Sequence, residues 1–186
     1  PVAASAETAG EAAVADPEAF LLRAIERKTA ALGPEHSHTL LGMSHLAELY
    51  KNQGRYADAE PLYAQMLVTL ERTREPEHPD TLVTMDNLAQ VYYLQGRYAD
   101  AEPLYKRSLA INEKALGSDH PSVATGYNVL ARLYRAQGRY VDAEPSYGRS
   151  RAIMEKALGP DHPSVAASLN NLARLYQVQG RYVDAE

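Results

Sequence analysis

Between His162 and Glu186 the chain reads HPSVAASLNNLARLYQVQGRYVDAE, and its apolar positions fall where one side of a helix would collect them. Val165, Leu169, Leu172 and Tyr176 are spaced i, i+4, i+7, i+11, with Ala166 and Ala173 beside them. Turning 100° per residue gathers these on one face, which is the pattern of an amphipathic helix. Pro163 suits the first helical position, where its missing N–H has no partner to lose. Gly180 ends the helix, because glycine takes the left-handed conformation that closes a helix C-terminus. A second helical pattern follows such a turn one copy earlier, where Tyr140, Ala143, Tyr147, Ser150 and Met154 lead to Leu158-Gly159. The pattern predicts antiparallel pairs of about 16 and about 18 residues, joined by a short Gln-Gly-Arg turn. Pro61, Pro103 and Pro145 sit past the first position of the second helices and predict an irregular or slightly kinked start.

The pair recurs. QGRYADAEPLY runs from Gln53 to Tyr63 and again from Gln95 to Tyr105, QGRYVDAEPSY starts at Gln137 and QGRYVDAE at Gln179, each 42 residues after the last. A fixed period of this size marks a repeat architecture, in which one hairpin cannot cover both of its faces and its neighbour supplies the missing surface. A motif needed four times is a structural requirement, so QGRYADAE reads as a turn plus a packing code, its recurring Gly, Ala and Tyr forming the contacts between copies. Full units are expected at 36–77, 78–119 and 120–161, with a truncated unit at 162–186. Residues 17–33 align with a second helix alone, through Leu21, Ile25 and Leu32-Gly33. The Ala-rich opening, 1–16, reads as a disordered tail. About seven full helices are expected, with an eighth barely begun. The loop RTREPEHP carries Arg74 and Glu75 where the other copies have Leu-Gly, so its turn should differ.

Composition agrees with an all-α chain and removes several functions. Ala, Leu, Glu, Arg and Gln dominate, Trp is absent and Phe20 is the one Phe, a helix-forming vocabulary. Of the 13 Tyr, 11 fall in register with the repeat, for example Tyr50, Tyr92, Tyr134 and Tyr176. No apolar run approaches the ~18 residues of a membrane span. With no Cys there is no disulfide, thiolate catalysis or Cys-ligated metal. The net charge of −5 argues against general nucleic-acid binding. It is unevenly spread: residues 1–93 hold 7 Lys and Arg against 14 Asp and Glu, and 94–186 hold 12 against 10. The chain opens on Pro1 with neither Met nor a signal peptide and reads as a processed fragment.

Leu-Ala-x-x-Tyr followed by Gly, Tyr, Ala and Tyr is the pattern of the tetratricopeptide repeat, usually of period 34. Here the second helix is longer and a loop reading ALGPEH, ALGSDHP or ALGPDHP is added. With LNNLARLYQVQGRY and AEPLYKRSLAINEKALG, the 42-residue form closely resembles the repeats of kinesin light chain and of the bacterial proteins sharing them. The resemblance covers about 17–186 and implies an all-α, right-handed superhelical solenoid of stacked antiparallel helix pairs. It also implies a bacterial relative, a cytoplasmic location, and a groove that takes acidic, aromatic-bearing peptides.

No catalytic constellation stands out. His36, His78, His120 and His162 recur once per repeat beside a helix start. Metal ligands must meet within a few ångströms, whereas equivalent residues of stacked repeats lie on the order of 10 Å apart. They read as helix-entry residues, and His38 and His45 add little to them. The Asp and Glu of YADAE read as solvent-facing or as N-terminal stabilisers. No phosphate loop, nucleophile elbow or metal motif is present. The expectation is a non-enzyme with no cofactor and no metal.

The first helices of successive units line the concave face of such solenoids, which makes their non-core positions the candidate peptide-binding groove. These are Asp86, Asn87, Gln90 and Tyr93 in one unit, Asn128, Arg132 and Arg135 in the next, and Asn170, Asn171 and Arg174 in the last. Asn is a poor helix former and offers donor and acceptor to an extended backbone. Arg132, Arg135 and Arg174 suit carboxylates. The leading expectation is a protein-interaction scaffold holding an extended acidic segment. The alternatives are a self-assembling structural module and the sensor arm of a larger signalling enzyme. The truncated last unit leaves Leu169, Leu172, Ala173 and Tyr176 to be covered. The natural protein is therefore expected to continue into further repeats, and this fragment to cover its raw end with another copy.

Overall fold

The computed structural model describes residues 16–75 and 77–185. Among them run eight α-helices: α1 Pro17–Leu32, α2 Ser37–Asn52, α3 Tyr56–Thr73, α4 Pro79–Leu94, α5 Tyr98–Leu116, α6 Pro121–Ala136, α7 Tyr140–Leu158 and α8 Pro163–Val178. A 3-10 turn, Tyr182–Ala185, follows, and no strand occurs among the described residues. The helix total corrects the seven expected, because α8, the first helix of the truncated unit, is complete. The chain divides after Arg72 into two compact units, the first carrying α1, α2 and most of α3, the second α4 to α8. The expected disordered tail lies outside the described residues except for Asp16. That residue caps α1, its carboxylate accepting from the Glu18 and Ala19 amides at 3.0 and 3.2 Å, so it belongs to the helix.

Each first helix starts on the recurring histidine. Nδ1 of His36, His78, His120 and His162 accepts the amide two residues on, at 3.1 to 3.2 Å. The imidazole thus satisfies one of the amides that a helix N-terminus leaves without a partner. Each second helix starts at the Tyr right after the turn and runs unbroken through Pro61, Pro103 or Pro145. α3 ends at Thr73, one residue before its counterparts α5 and α7, and no non-glycine residue described has a positive φ. Without the glycine that follows α1, α5 and α7, at φ 87 to 91°, this loop takes another course, as the substitution at Arg74-Glu75 suggested.

The turn explains the repeated QGR. Gly54, Gly96, Gly138 and Gly180 have φ of 72 to 75°, the left-handed region that a Cβ disfavours, and a Cβ added there would touch nothing within 4 Å. These glycines are turn residues, which corrects the expectation that they pack between copies. The Arg amide then bonds back to the Tyr carbonyl five residues earlier, 2.9 Å for Arg55 to Tyr50 and 2.8 Å for Arg139 to Tyr134. This closes a Schellman-type terminus. It also lays the guanidinium over the Tyr ring, at 4.2 to 4.5 Å in all four copies.

From that position the Arg reaches into the preceding copy. Arg55 pairs with Glu18, Arg139 with Glu102 at 2.7 Å, and Arg181 with Glu144 at 2.7 Å, each 37 residues earlier. Tyr50 and Tyr176 donate their hydroxyls to the same carboxylates, Glu18 and Glu144. Arg Nε binds the Asp three residues on, as in Arg139 to Asp142 at 2.8 Å. The Glu of YADAE is therefore a clamp residue between copies, not the solvent-facing or N-terminal group expected, whereas the Asp stands in the first turn of its own helix, as one of the two expectations had it. A second ladder of the same 37-residue span ties the loops, joining Arg72 to Glu35, Lys114 to Glu77 at 2.8 Å and Lys156 to Asp119 at 2.5 Å. The Arg55 bond holds the Glu18 carboxyl below its usual range, as Lys114 does for Glu77 and Lys156 for Asp119. At Glu102 burial pushes upward, but the bonds from Lys106 and Arg139 outweigh it and hold it below its usual range.

The core of the second unit runs through Tyr105, Leu109, Leu130, Leu133, Tyr147, Ile153 and Leu175. Small residues let helices approach: a Cβ on Gly126 would lie 2.9 Å from Leu109 Cδ1, and one on Gly42 would lie 3.0 Å from Ile25 Cγ1. Ala124 and Ala131 of α6 have no exposed surface, whereas their counterparts on α8, Ala166 and Ala173, are exposed and half-buried. The buried stripe of α8 is Val165, Ser168, Leu172 and Leu175, while Leu169 is 44% exposed. Of the face expected to need covering, Leu169 lies open, Ala173 and Tyr176 are half-buried and Leu172 is buried, while Leu175 joins the buried stripe.

Two outcomes follow. His120→Ala should lower the free energy of unfolding by about 1 kcal/mol through loss of the cap, with His120→Asn restoring it, as read from urea titrations. The depressed carboxylates contribute stability that is complete above the unfolded carboxylate value of about 4.3 and is lost as pH falls through their lower folded values. Thermal scans by circular dichroism should therefore show the melting temperature falling below about pH 4.5, less steeply in Glu102→Gln.

Candidate functional site

The residues that hold the fold are spent on it, so a binding site must use positions that differ between copies. On the first helices of the second unit those are the candidates named above. Asp86, Asn87, Gln90 and Tyr93 of α4 and Arg132 of α6 come together around one pocket of about 590 Å³. The Arg132 guanidinium stands 5.7 Å from the centre of the Tyr93 ring, and Tyr93 packs against Tyr98 at 5.5 Å. Asn87 and Gln90 have partners of their own.

The remaining candidates lie outside that pocket. Asn171 donates to Asn128 at 2.9 Å, so this pair spends one donor and one acceptor within the array. Asn170 and Arg174 are exposed, and Arg135 is half-buried. Beneath Arg132 and Arg135 lies Tyr147, with no exposed surface and no hydrogen-bond partner for its hydroxyl among the described residues. The matching Tyr63 of the first unit donates to Glu48 at 3.1 Å. Glu48, Gln90, Arg132 and Arg174 occupy one position in successive copies, so the floor tyrosine meets a different group in each. Burial raises the Tyr147 hydroxyl above its usual range, and the two arginines oppose that.

Sequence reading missed the contribution of the second helix. Tyr105, Ser108, Asn112 and Leu116 of α5 form one wall of the pocket. The available signal was Ser108, which stands where the first unit has the buried Met66. The small Ser108 side chain lies in the pocket wall, and Gly126 of α6 lines the same pocket. Asp86 is exposed at its edge yet crowded enough that burial raises its carboxyl above the usual range, with the Ser108 hydroxyl opposing. Among the described residues no three His, Asp or Glu are placed to hold a metal ion, and no helix is long and apolar enough to cross a membrane.

The tetratricopeptide repeat family matches residues 38–114, 87–156 and 122–186. Among solved structures, a putative kinesin light chain from Podosopora anserina with nearly identical TPR-like repeats is 32% identical, with a TM-score of 0.81 over 90% of this chain and 80% of that one. BtubC (BKLC) from P. vanneervenii, 24% identical, shares the fold with a TM-score of 0.73 over 90% and 67% of the two chains. A Rap protein complexed with Competence and Sporulation Factor shares it at 16% identity, with a TM-score of 0.61 over 90% and 54%. No curated protein sequence matches the chain. The three family matches span 38–186 and the structural likeness runs through the same repeats, so the chain belongs to the tetratricopeptide repeat family, with repeats of the kinesin light chain type, and its architecture is that of a protein-interaction scaffold.

Proposed function

We propose that the chain binds an extended, acidic segment of a partner protein across α4, α6 and α8, as a cytoplasmic scaffold without catalytic activity, metal or cofactor. The observation that carries this is the row of cations that replaces Glu48 and Gln90 in the later copies: Arg132 and Arg174 are exposed, and Arg135 adjoins them. A guanidinium offers a planar fork of donors matched to a carboxylate, and the unpartnered Tyr147 hydroxyl lies beneath two of the three. Asn170 and the free groups of the Asn128–Asn171 pair suit the backbone of such a segment. A Rap protein sharing this fold is complexed with Competence and Sporulation Factor, which supports reading the fold as a holder of partners. Against a labelled acidic decapeptide, Arg132→Ala and Arg174→Ala should each weaken binding by about 1–3 kcal/mol, and affinity should fall with added salt. Unchanged affinity in both variants would move the site elsewhere.

A second reading, a self-assembling module, is favoured by α8. Leu169 is 44% exposed and Ala166 lies open beside it, whereas the matching Ala124 is fully covered within the unit. A second copy of the chain would cover that face. Light scattering across concentrations should then show a mass that rises, and Leu169→Glu should return it to that of one chain. A constant single-chain mass at high concentration would leave only the scaffold reading.

A further inference from the structure

The pocket of the second unit carries a feature that acid recognition does not use. Its rim is apolar: Val83, Leu94 and Leu116 are 58, 41 and 47% exposed, an unusual grouping of large side chains left in water. Its volume of about 590 Å³ is that of a ligand site, not of a packing defect. One substitution relative to the first unit marks it, Ser108 in place of the buried Met66, and Gly126 also lines it.

A carboxylate shares this apolar rim. Asp86 stands where the other copies have Ser44, Asn128 and Asn170, all neutral. Most acidic residues of the ladders are matched: Glu77 at the same pocket is held by Lys114 at 2.8 Å, Glu102 by Arg139 and Lys106, and Asp119 by Lys156. Asp86 forms no ion pair among the described residues, and the Ser108 hydroxyl opposes the upward push of burial on its carboxyl. The charged groups facing it are Glu77, already engaged, and Arg132, whose guanidinium lies near the Tyr93 ring. A crowded carboxylate without a counter-ion gains from any cation brought beside it.

We propose that this pocket seats a large apolar side chain of the bound segment with a Lys or Arg directly beside it, the apolar group against Val83, Leu94 and Leu116 and the cation on Asp86. The ligand is then bipolar, basic at α4 and acidic toward Arg132 and Arg174, and the groove fixes its direction as well as its place. This rests on the scaffold reading, since it concerns the same groove, but it assigns a preference that the acidic reading lacks.

The test uses the full chain and fluorescein-labelled decapeptides followed by fluorescence anisotropy. One probe is an acidic stretch alone. The others join Leu-Lys, Leu-Gln or Ala-Lys to that stretch, each made in both chain orders. In one order, Leu-Lys should bind about tenfold more tightly than Leu-Gln or Ala-Lys, and the other order should lose that gain. Asp86→Asn, folded by circular dichroism, should abolish the gain from Lys, read as the ratio of Leu-Lys to Leu-Gln affinity within the same variant. If the acidic probe binds but Leu-Lys adds nothing over Leu-Gln, the pocket assignment falls and the scaffold reading stands. If the Lys gain survives in Asp86→Asn, Asp86 is not its receiver and the assignment falls. If the Leu-Lys probes bind in an Asp86-dependent way while Arg132→Ala and Arg174→Ala change nothing, the acidic reading falls and the pocket stands. If no probe binds the folded chain, both are overturned.

Discussion

Ala131 on α6 has no exposed surface, and Ala173, which holds the same place on α8, is half-buried. The difference measures what each copy depends on, the covering of its first helix by the copy that follows. An antiparallel hairpin buries one side of each helix and leaves the other wet, and each large apolar side chain left so forfeits about 1.5–3 kcal/mol. Stacking removes that loss, but only if the helices come close, hence alanines and, at Gly42 and Gly126, no side chain at all. It also requires that the angle between copies repeat. The turn supplies this by joining the backbone of one Tyr to that of one Arg, so that the Arg is aimed at a carboxylate 37 residues back in every copy where both lie in one unit.

These clamps are surface ion pairs, individually weak and screened by salt. Their value lies in geometry. The guanidinium lies over a ring, bound to an Asp on its own helix and to a Glu on the earlier one, so it cannot pair elsewhere without giving up several contacts together. The same economy applies to the histidines, whose one acceptor nitrogen is used by a helix start. Residue types that suggest chemistry when met singly are here consumed by architecture, and their recurrence is the sign of it.

The positions that break the repeat are the ones left over for binding. Met66 fills the core of the first unit, and Ser108 in its place leaves a hollow. Glu48 satisfies the floor tyrosine, whereas the Tyr147 hydroxyl, near Arg132 and Arg135, finds no hydrogen-bond partner among the described residues. Ser44, Asn128 and Asn170 are neutral, but Asp86 brings a charge that forms no ion pair among the described residues. Apolar rim, lone carboxylate and a row of arginines follow one another along α4, α6 and α8. That order is what would distinguish this groove from others built on the same scaffold.

The 42-residue period, the helix pairs, the left-handed glycine turns and the family were all legible in the letters, because each rests on local rules: helical spacing, cap chemistry and self-similarity. The candidate row Asp86, Asn87, Gln90, Tyr93 and Arg132 could be placed on the first helices for the same reason. The partner of each side chain was not legible. Nothing local says that Glu102 receives Arg139, that Leu169 faces out while Leu175 faces in, or that Tyr105 and Ser108 of a second helix wall a pocket. Those outcomes are set by the angle and distance at which one hairpin meets the next. A shift of a few degrees about a helix axis decides whether a side chain such as Leu169 is core or surface. Sequence by itself determined the elements and their repetition, and tertiary packing decided which charges are answered and where a hollow remains.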